Sequence, residues 1–389
     1  MELHGGYRHK ASMETGIPIC EWLDFSANIN PFGMPKRLKE TIQREIEELI
    51  HYPDPDCMEL TSALSEVEEV AKERIFCGNG GADVLYRYIT ALSPRKVCLP
   101  VPAFVEYEEI LQNHWKNQYK TTMIRKGEEK KELETQGDMP ELVLYSMEQW
   151  EKTEDGNVFW KPDHLALTEQ FLQCLNSSYD LLILCSPNNP TRLVIPSDLL
   201  RKIVQKTKDA NIELLLDLSF LDFVLDADKA LEKELKQYSH VTILRSFTKM
   251  YGVPGVRLGY GVLGAKVTKE AMKQQGASWS VNHFAQKVGV VGLKETEFVK
   301  KTVDYVEKER CFMMNQLRQM GMSVIEGKAN YLLFQRQGDK NLHKRLLKRG
   351  ILIRSCQNYQ GLTADYYRIG IKQREENNKL LEALKEELL

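Results

Sequence analysis

Five short apolar runs dominate the middle of the chain: KVCLP (96–100), DLLILCSP (180–187), IELLLDLSF (212–220), VTILRSF (241–247) and RLGYGVL (257–263). They are near-continuous rather than alternating, which predicts strands covered by protein on both faces. Helical stretches such as PSDLLRKIVQKTKDAN (196–211) separate them and supply crossovers. The chain is therefore expected to be α/β, built on a doubly wound, mainly parallel sheet. In such a sheet the ligand crevice lies beyond the carboxyl ends of the strands.

At 389 residues the chain exceeds the roughly 250–300 at which one core stops growing. The expected organisation is an N-terminal arm and helix over 1–47, a large sheet domain over 48–265, and linking helices with a smaller α/β domain over 266–389. The arm is expected to pack with the small domain. Inside the large domain, residues 125–162 are unusually polar and read as an exposed insertion with a hairpin turning at Glu154–Asn157. A single helical stretch is expected from about Asn282 to Met320, followed by the short strands SVIEG, NYLLFQR, ILIRSC and YYRIGIK.

The formal charge, 53 − 55 = −2, provides no electrostatic case for nucleic acid or a membrane surface, which leaves small molecules as partners. No apolar run approaches the ~20 residues of a membrane helix, and the start lacks the apolar core of a secretory signal, so a cytoplasmic location is expected. The eight cysteines form no C-x-x-C pair and the eight histidines no H-E-x-x-H, which gives metal catalysis no support.

The segment RSFTKMYGVPGVRLGYG (245–261) carries the chemistry. Lys249 follows a buried strand and should emerge in the crevice, where desolvation lowers its pKa and makes the amine a nucleophile for an aldehyde. Ser246, Thr248 and Arg257 add hydroxyls and a forked cation suited to a phosphate. Ser246 to Lys249 also spells S-x-x-K, the serine β-lactamase motif, but the S-D-N and K-T-G that should accompany it are missing. Asp217 ends the preceding strand, where a carboxylate can pair with a protonated pyridine nitrogen. Asn189, in the turn N-N-P, could donate to a phenolic oxygen. Gly80 and Gly81, in G-N-G-G-A before a helix, let backbone N–H groups approach a phosphate. Phe104 could stack on an aromatic ring.

The order G-N-G-G-A, P-A-F, N-N-P, Asp217, S-F-T-K and Arg257 resembles fold-type I pyridoxal-phosphate (PLP) enzymes, the class I/II aminotransferase family, and within it the histidinol-phosphate aminotransferase branch. H-G-G (4–6), DFSANINP (24–31), HYPDPD (51–56), ILIRSC with Asn358-Tyr359, and YYRIGIK resemble the threonine-phosphate decarboxylases of that branch. The resemblance implies PLP bonded to Lys249, with Asp217 on the pyridine nitrogen, Asn189 on the ring oxygen and Phe104 on the ring face. Gly80, Gly81, Ser246, Thr248 and Arg257 would hold the cofactor phosphate, with Tyr52 reaching in from the second subunit of a homodimer. Arg368 would take the substrate carboxylate, and His4, Asn28 and Arg354 the substrate phosphate. The implied activity is decarboxylation of L-threonine O-3-phosphate in cobalamin synthesis. Transamination of histidinol phosphate or a related amino phosphate is one alternative, and a non-catalytic PLP-fold binding protein is another. Departures from the family pattern are Arg192 where glycine is usual, which disfavours a positive φ there, Leu218-Ser219 after Asp217, Phe220 lacking a hydroxyl, and Lys372 where arginine is frequent.

Overall fold

The computed structural model of the chain describes residues 5–125, 140–147, 150–152, 158–160 and 165–387. In chain order the strands are β1 (Leu23–Asp24), β2 (Ile75–Gly78), β3 (Lys96–Val101), β4 (Glu141–Ser146), β5 (Trp150–Lys152), β6 (Val158–Trp160), β7 (Leu181–Cys185) and β8 (Glu213–Asp217). They continue with β9 (Val241–Ser246), β10 (Gly259–Val262), β11 (Ser323–Val324), β12 (Tyr331–Gln335), β13 (Ile351–Leu352), β14 (Arg354–Ser355) and β15 (Tyr366–Gly370).

Seven of them form one sheet in the order β2-β10-β9-β8-β7-β3-β4, with β10 alone antiparallel to its neighbours. The apolar runs are buried from both sides because alternate residues enter different cores. Leu182 and Leu184 of β7 join one, and Leu181 and Ile183 join the other. All five expected strands are in this sheet. Two more escaped the sequence reading: β2 is short and follows the charged VAKER, and β4 is a half-exposed edge strand among charged residues. Thus part of the polar 125–162 stretch is structural, pairing β4 parallel to β3, while β5 and β6 pair antiparallel as a hairpin. The hairpin's expected turn residues 154–157 lie outside the described residues.

The second sheet is antiparallel, in the order β11-β12-β15-β14. The N-terminal segment is stitched to its edge. β1 pairs parallel with β13, the Phe25 amide donates to the Leu352 carbonyl (2.8 Å), and the Gly370 amide donates to Phe25 (2.7 Å). ILIRSC accordingly divides, its first half pairing with β1 and Arg354–Ser355 with β15. The expected helix from 282 to 320 is two helices, His283–Gly292 and Thr296–Gln319. The break falls just after Gly292, a residue that stabilises helix poorly.

One close approach explains the first glycine of RLGYG. A Cβ on Gly259 would stand 2.4 Å from the Gly81 amide nitrogen and 2.7 Å from the Gly80 carbonyl carbon. β10 thereby presses against the glycine loop that follows β2. Gly259→Ala should cost about 1–3 kcal/mol through this overlap and displace the loop. Thermal unfolding together with PLP affinity checks this, and an unchanged Tm would refute it.

Candidate active site

Asp217 is the last residue of β8 and Ser246 the last of β9, while Asn189 lies just beyond β7. These three neighbouring strand ends open into a cavity of about 360 Å³, within the range of small-molecule sites. Lys249 enters it from the short helical turn Phe247–Met250 after β9. Its Nζ lies 3.3 Å from the Ser246 hydroxyl and 5.8 Å from the Phe220 ring centre. Burial lowers the Lys249 amine to about 8, with Asp217 opposing the shift and Arg257 and Arg368 adding to it.

Asp217 is held at both oxygens. The Ser219 amide donates to Oδ1 at 2.8 Å, and the Tyr107 hydroxyl donates to Oδ2 at 2.7 Å. Burial and the Asp217 carboxylate keep the Tyr107 phenol well above its ordinary range, so it remains a donor. Tyr107 was missed in the sequence. Its available signal was the spacing F-x-x-Y, which puts it one helical turn after Phe104, and the two rings meet edge to face at 5.7 Å.

A second corner gathers anion-binding groups. Gly80 has φ 86°, a conformation that favours glycine, and a Cβ there would lie 2.5 Å from Arg257 Nη2 and crowd the guanidinium. Gly81 begins the helix Gly81–Leu92. The Ser246 and Thr248 hydroxyls are 2.8 Å apart beside it. A helix N-terminus, a forked cation and two hydroxyls together suit a phosphate.

The opposite wall comes from the second sheet and the N-terminal segment. Arg354 and Arg368 are direct partners across β14 and β15, are both buried, and both line the cavity. Arg368 Nη1 donates to Asn189 Oδ1 at 2.6 Å, and its Nη2 donates to the Ser26 carbonyl at 3.0 Å. Tyr359, also missed as a site residue, donates to the same Asn189 oxygen at 3.4 Å. Two donors fix Oδ1 as the acceptor and leave the amide nitrogen as the donor of the Asn189 side chain. Arg354 Nη2 donates to Asn358 at 2.7 Å. Asn28 Oδ1 and Arg368 Nε are buried without a hydrogen-bond partner.

The cavity therefore brings together Lys249, Asp217, Asn189, Phe104, Gly81, Ser246, Thr248, Arg257, Asn28, Arg354 and Arg368, with Gly80 against Arg257. It does not include Tyr52, which is 83% exposed with its ring 5.1 Å from Trp279. His4 lies outside the described residues. One expectation is corrected. Arg192 adopts φ 59° despite its Cβ, because contacts of its side chain and carbonyl hold the turn there.

Residues 157–384 match the family profile of class I and II aminotransferases. The chain belongs to that family. It is 34% identical over 385 residues to a threonine-phosphate decarboxylase of Salmonella typhimurium, covering 98% of this chain and 95% of that one. It is 27% identical to a histidinol-phosphate aminotransferase of Methanococcus aeolicus over 98% and 94% of the two chains. Among solved structures, the histidinol-phosphate aminotransferase of Clostridium acetobutylicum superposes with a TM-score of 0.77 at 25% identity, covering 94% of this chain and 99% of that one. The fold is that of fold-type I PLP enzymes, and PLP is the family's cofactor. The residues present fit it: an amine of lowered pKa for the aldehyde, a carboxylate two-fold anchored for the ring nitrogen, and a phosphate cradle that a Cβ on residue 80 would fill.

Two outcomes follow from this geometry. An amine at about 8 is mostly ammonium below that pH, so the rate of PLP loading should rise with pH, bend near about 8 and flatten above. Borohydride trapping and peptide mapping at Lys249 would measure this. A bend near the ~10.4 of a solvated lysine would refute it. Tyr107→Phe removes one charge-assisted bond from Asp217 and should raise the apparent Kd for PLP about tenfold, measured by absorbance titration.

Proposed function

We propose that this chain is a PLP-dependent decarboxylase of L-threonine O-3-phosphate, releasing CO2 and an aminopropanol phosphate, the compound that the resemblance assigns to cobalamin synthesis. The observation that carries the reading is the pairing of Arg354 with Arg368 at one register position on the cavity wall. Like charges directly opposite one another on a sheet are destabilising, and a substrate bearing both a carboxylate and a phosphate would offset them. The 34% identity to a threonine-phosphate decarboxylase supports the same choice.

In this reading Lys249 bonds the cofactor, Asp217 holds its pyridine nitrogen, Asn189 donates to its ring oxygen and Phe104 covers its face. Gly80, Gly81, Ser246, Thr248 and Arg257 hold its phosphate. Bound PLP supplies an electron sink for whichever Cα bond stands perpendicular to its ring. The protein's task is to choose that bond by position. Arg368, fixed by Asn189 and Ser26, would hold the substrate carboxylate, while Arg354, Asn28 and His4 would hold the substrate phosphate. Lys249, freed from the cofactor when the substrate amine takes its place, would be the group that returns a proton to Cα once the carboxylate has gone.

The proposed assembly is a cytoplasmic homodimer, with Tyr52 completing the partner's site. The exposed apolar side chains of Ile46, Leu49, Ile50 and Tyr52 support a buried interface there. Among the described residues, no helix is long and apolar enough to cross a membrane. A second reading, transamination of histidinol phosphate, is favoured by the similarity to those aminotransferases.

The PLP-loaded protein should release CO2 from L-threonine phosphate with no oxo acid present. Glutamate formed from histidinol phosphate and 2-oxoglutarate would support the second reading instead, and neither product would leave a binding protein. Arg354→Ala should raise KM for the phosphorylated substrate at least about tenfold, with a smaller effect on kcat.

A further inference from the structure

Arg192 has the largest side chain among those almost wholly inside the protein, with 0% exposure. No carboxylate lies within ion-pairing distance of it among the described residues, its Nη1 has no hydrogen-bond partner, and its backbone φ is 59°. A buried cation with no carboxylate paired directly to it and a left-handed residue that is not glycine both oppose folding. Something must offset them. The contacts show what does. Nε donates to the Ile325 carbonyl at 2.9 Å, and Nη2 reaches that carbonyl and the Met314 sulfur at 3.0 Å. The Lys328 amide donates back to the Arg192 carbonyl at 2.9 Å. Gly327 makes this approach possible, since a Cβ there would lie 2.4 Å from that same carbonyl oxygen.

Arg192 belongs to the turn after β7, and Met314, Ile325 and Lys328 belong to the elements around β11 and β12. The same turn is gripped a second time, where Tyr331 of β12 donates to the Asn188 carbonyl at 2.8 Å. Asn189 stands between these two grips and is itself bonded by Arg368. We propose that Arg192 is a positioning residue that pins the Asn189 turn to the second sheet, holding Arg354 and Arg368 at a set distance from the cofactor ring before substrate arrives. It touches neither cofactor nor substrate and acts through Asn189 and the β14–β15 pair. The inference rests on the active-site reading above, and it goes beyond that reading by giving this chain's departure from glycine a function.

Three variants test it in the PLP-loaded protein. Arg192→Met keeps an unbranched apolar side chain, shorter by the guanidinium head, and has no donor. Arg192→Gly relieves the backbone while deleting the pin. Arg192→Lys keeps one donor for Ile325. Both Arg192→Met and Arg192→Gly should raise KM for L-threonine phosphate about tenfold, with kcat within about threefold. Both should also speed hydrogen exchange of the Lys328 amide, and Arg192→Lys should restore most of the KM. If Arg192→Gly matches the parent in KM and exchange, or if both variants lose kcat without a change in KM, the pin is refuted. The amide exchange is read without turnover. If the parent itself releases no CO2, the decarboxylase reading fails while exchange still reports on the pin.

Discussion

A carboxylate and an amine lie within one buried pocket because two adjacent parallel strands end there. β8 delivers Asp217 and β9 leads into the turn bearing Lys249. Burial lowers the amine to about 8, and the carboxylate beside it is hydrogen-bonded at both oxygens in place of water. Most of the surroundings serve that requirement. The helix after β3 brings Tyr107 to Asp217, and β10 brings Arg257 against Gly80. The antiparallel insertion of β10 between β2 and β9 is what sets the guanidinium beside the glycine loop.

The second sheet supplies the opposite wall of the cavity. Its two arginines share a register position, so their geometry follows from backbone pairing rather than from flexible side chains. The N-terminal segment closes the arrangement, its Ser26 carbonyl accepting from Arg368 and Asn28 standing ready in the cavity. Reaction choice in such a site is a matter of distance between anchors, and those anchors sit on different sheets. The bonds that join the sheets, at Asn188, Asn189 and Arg192, are therefore as much a part of the proposed mechanism as the residues that would touch substrate.

Much of this was legible in the sequence because apolar runs report burial directly. β3, β7, β8, β9 and β10 are each long enough and apolar enough to be recognised. β4 was not, since an edge strand buries only one side and its flanks are charged. The family motifs carry Lys249, Asp217 and Arg257 by their spacing within single segments. Tyr107 and Tyr359 stood within readable local patterns, but their roles did not, because each acquires its role from a residue far away in the chain.

The sequence alone determined the sheet's central strands, the lysine with its hydroxyls, and the aminotransferase resemblance, because these are properties of contiguous residues. Only the tertiary structure decided that Asp217 is held by Tyr107, that Arg354 faces Arg368, and that Arg192 takes a left-handed conformation. Each of these depends on hydrogen bonds or register between segments separated in the chain, and such pairings are set by packing rather than by local pattern.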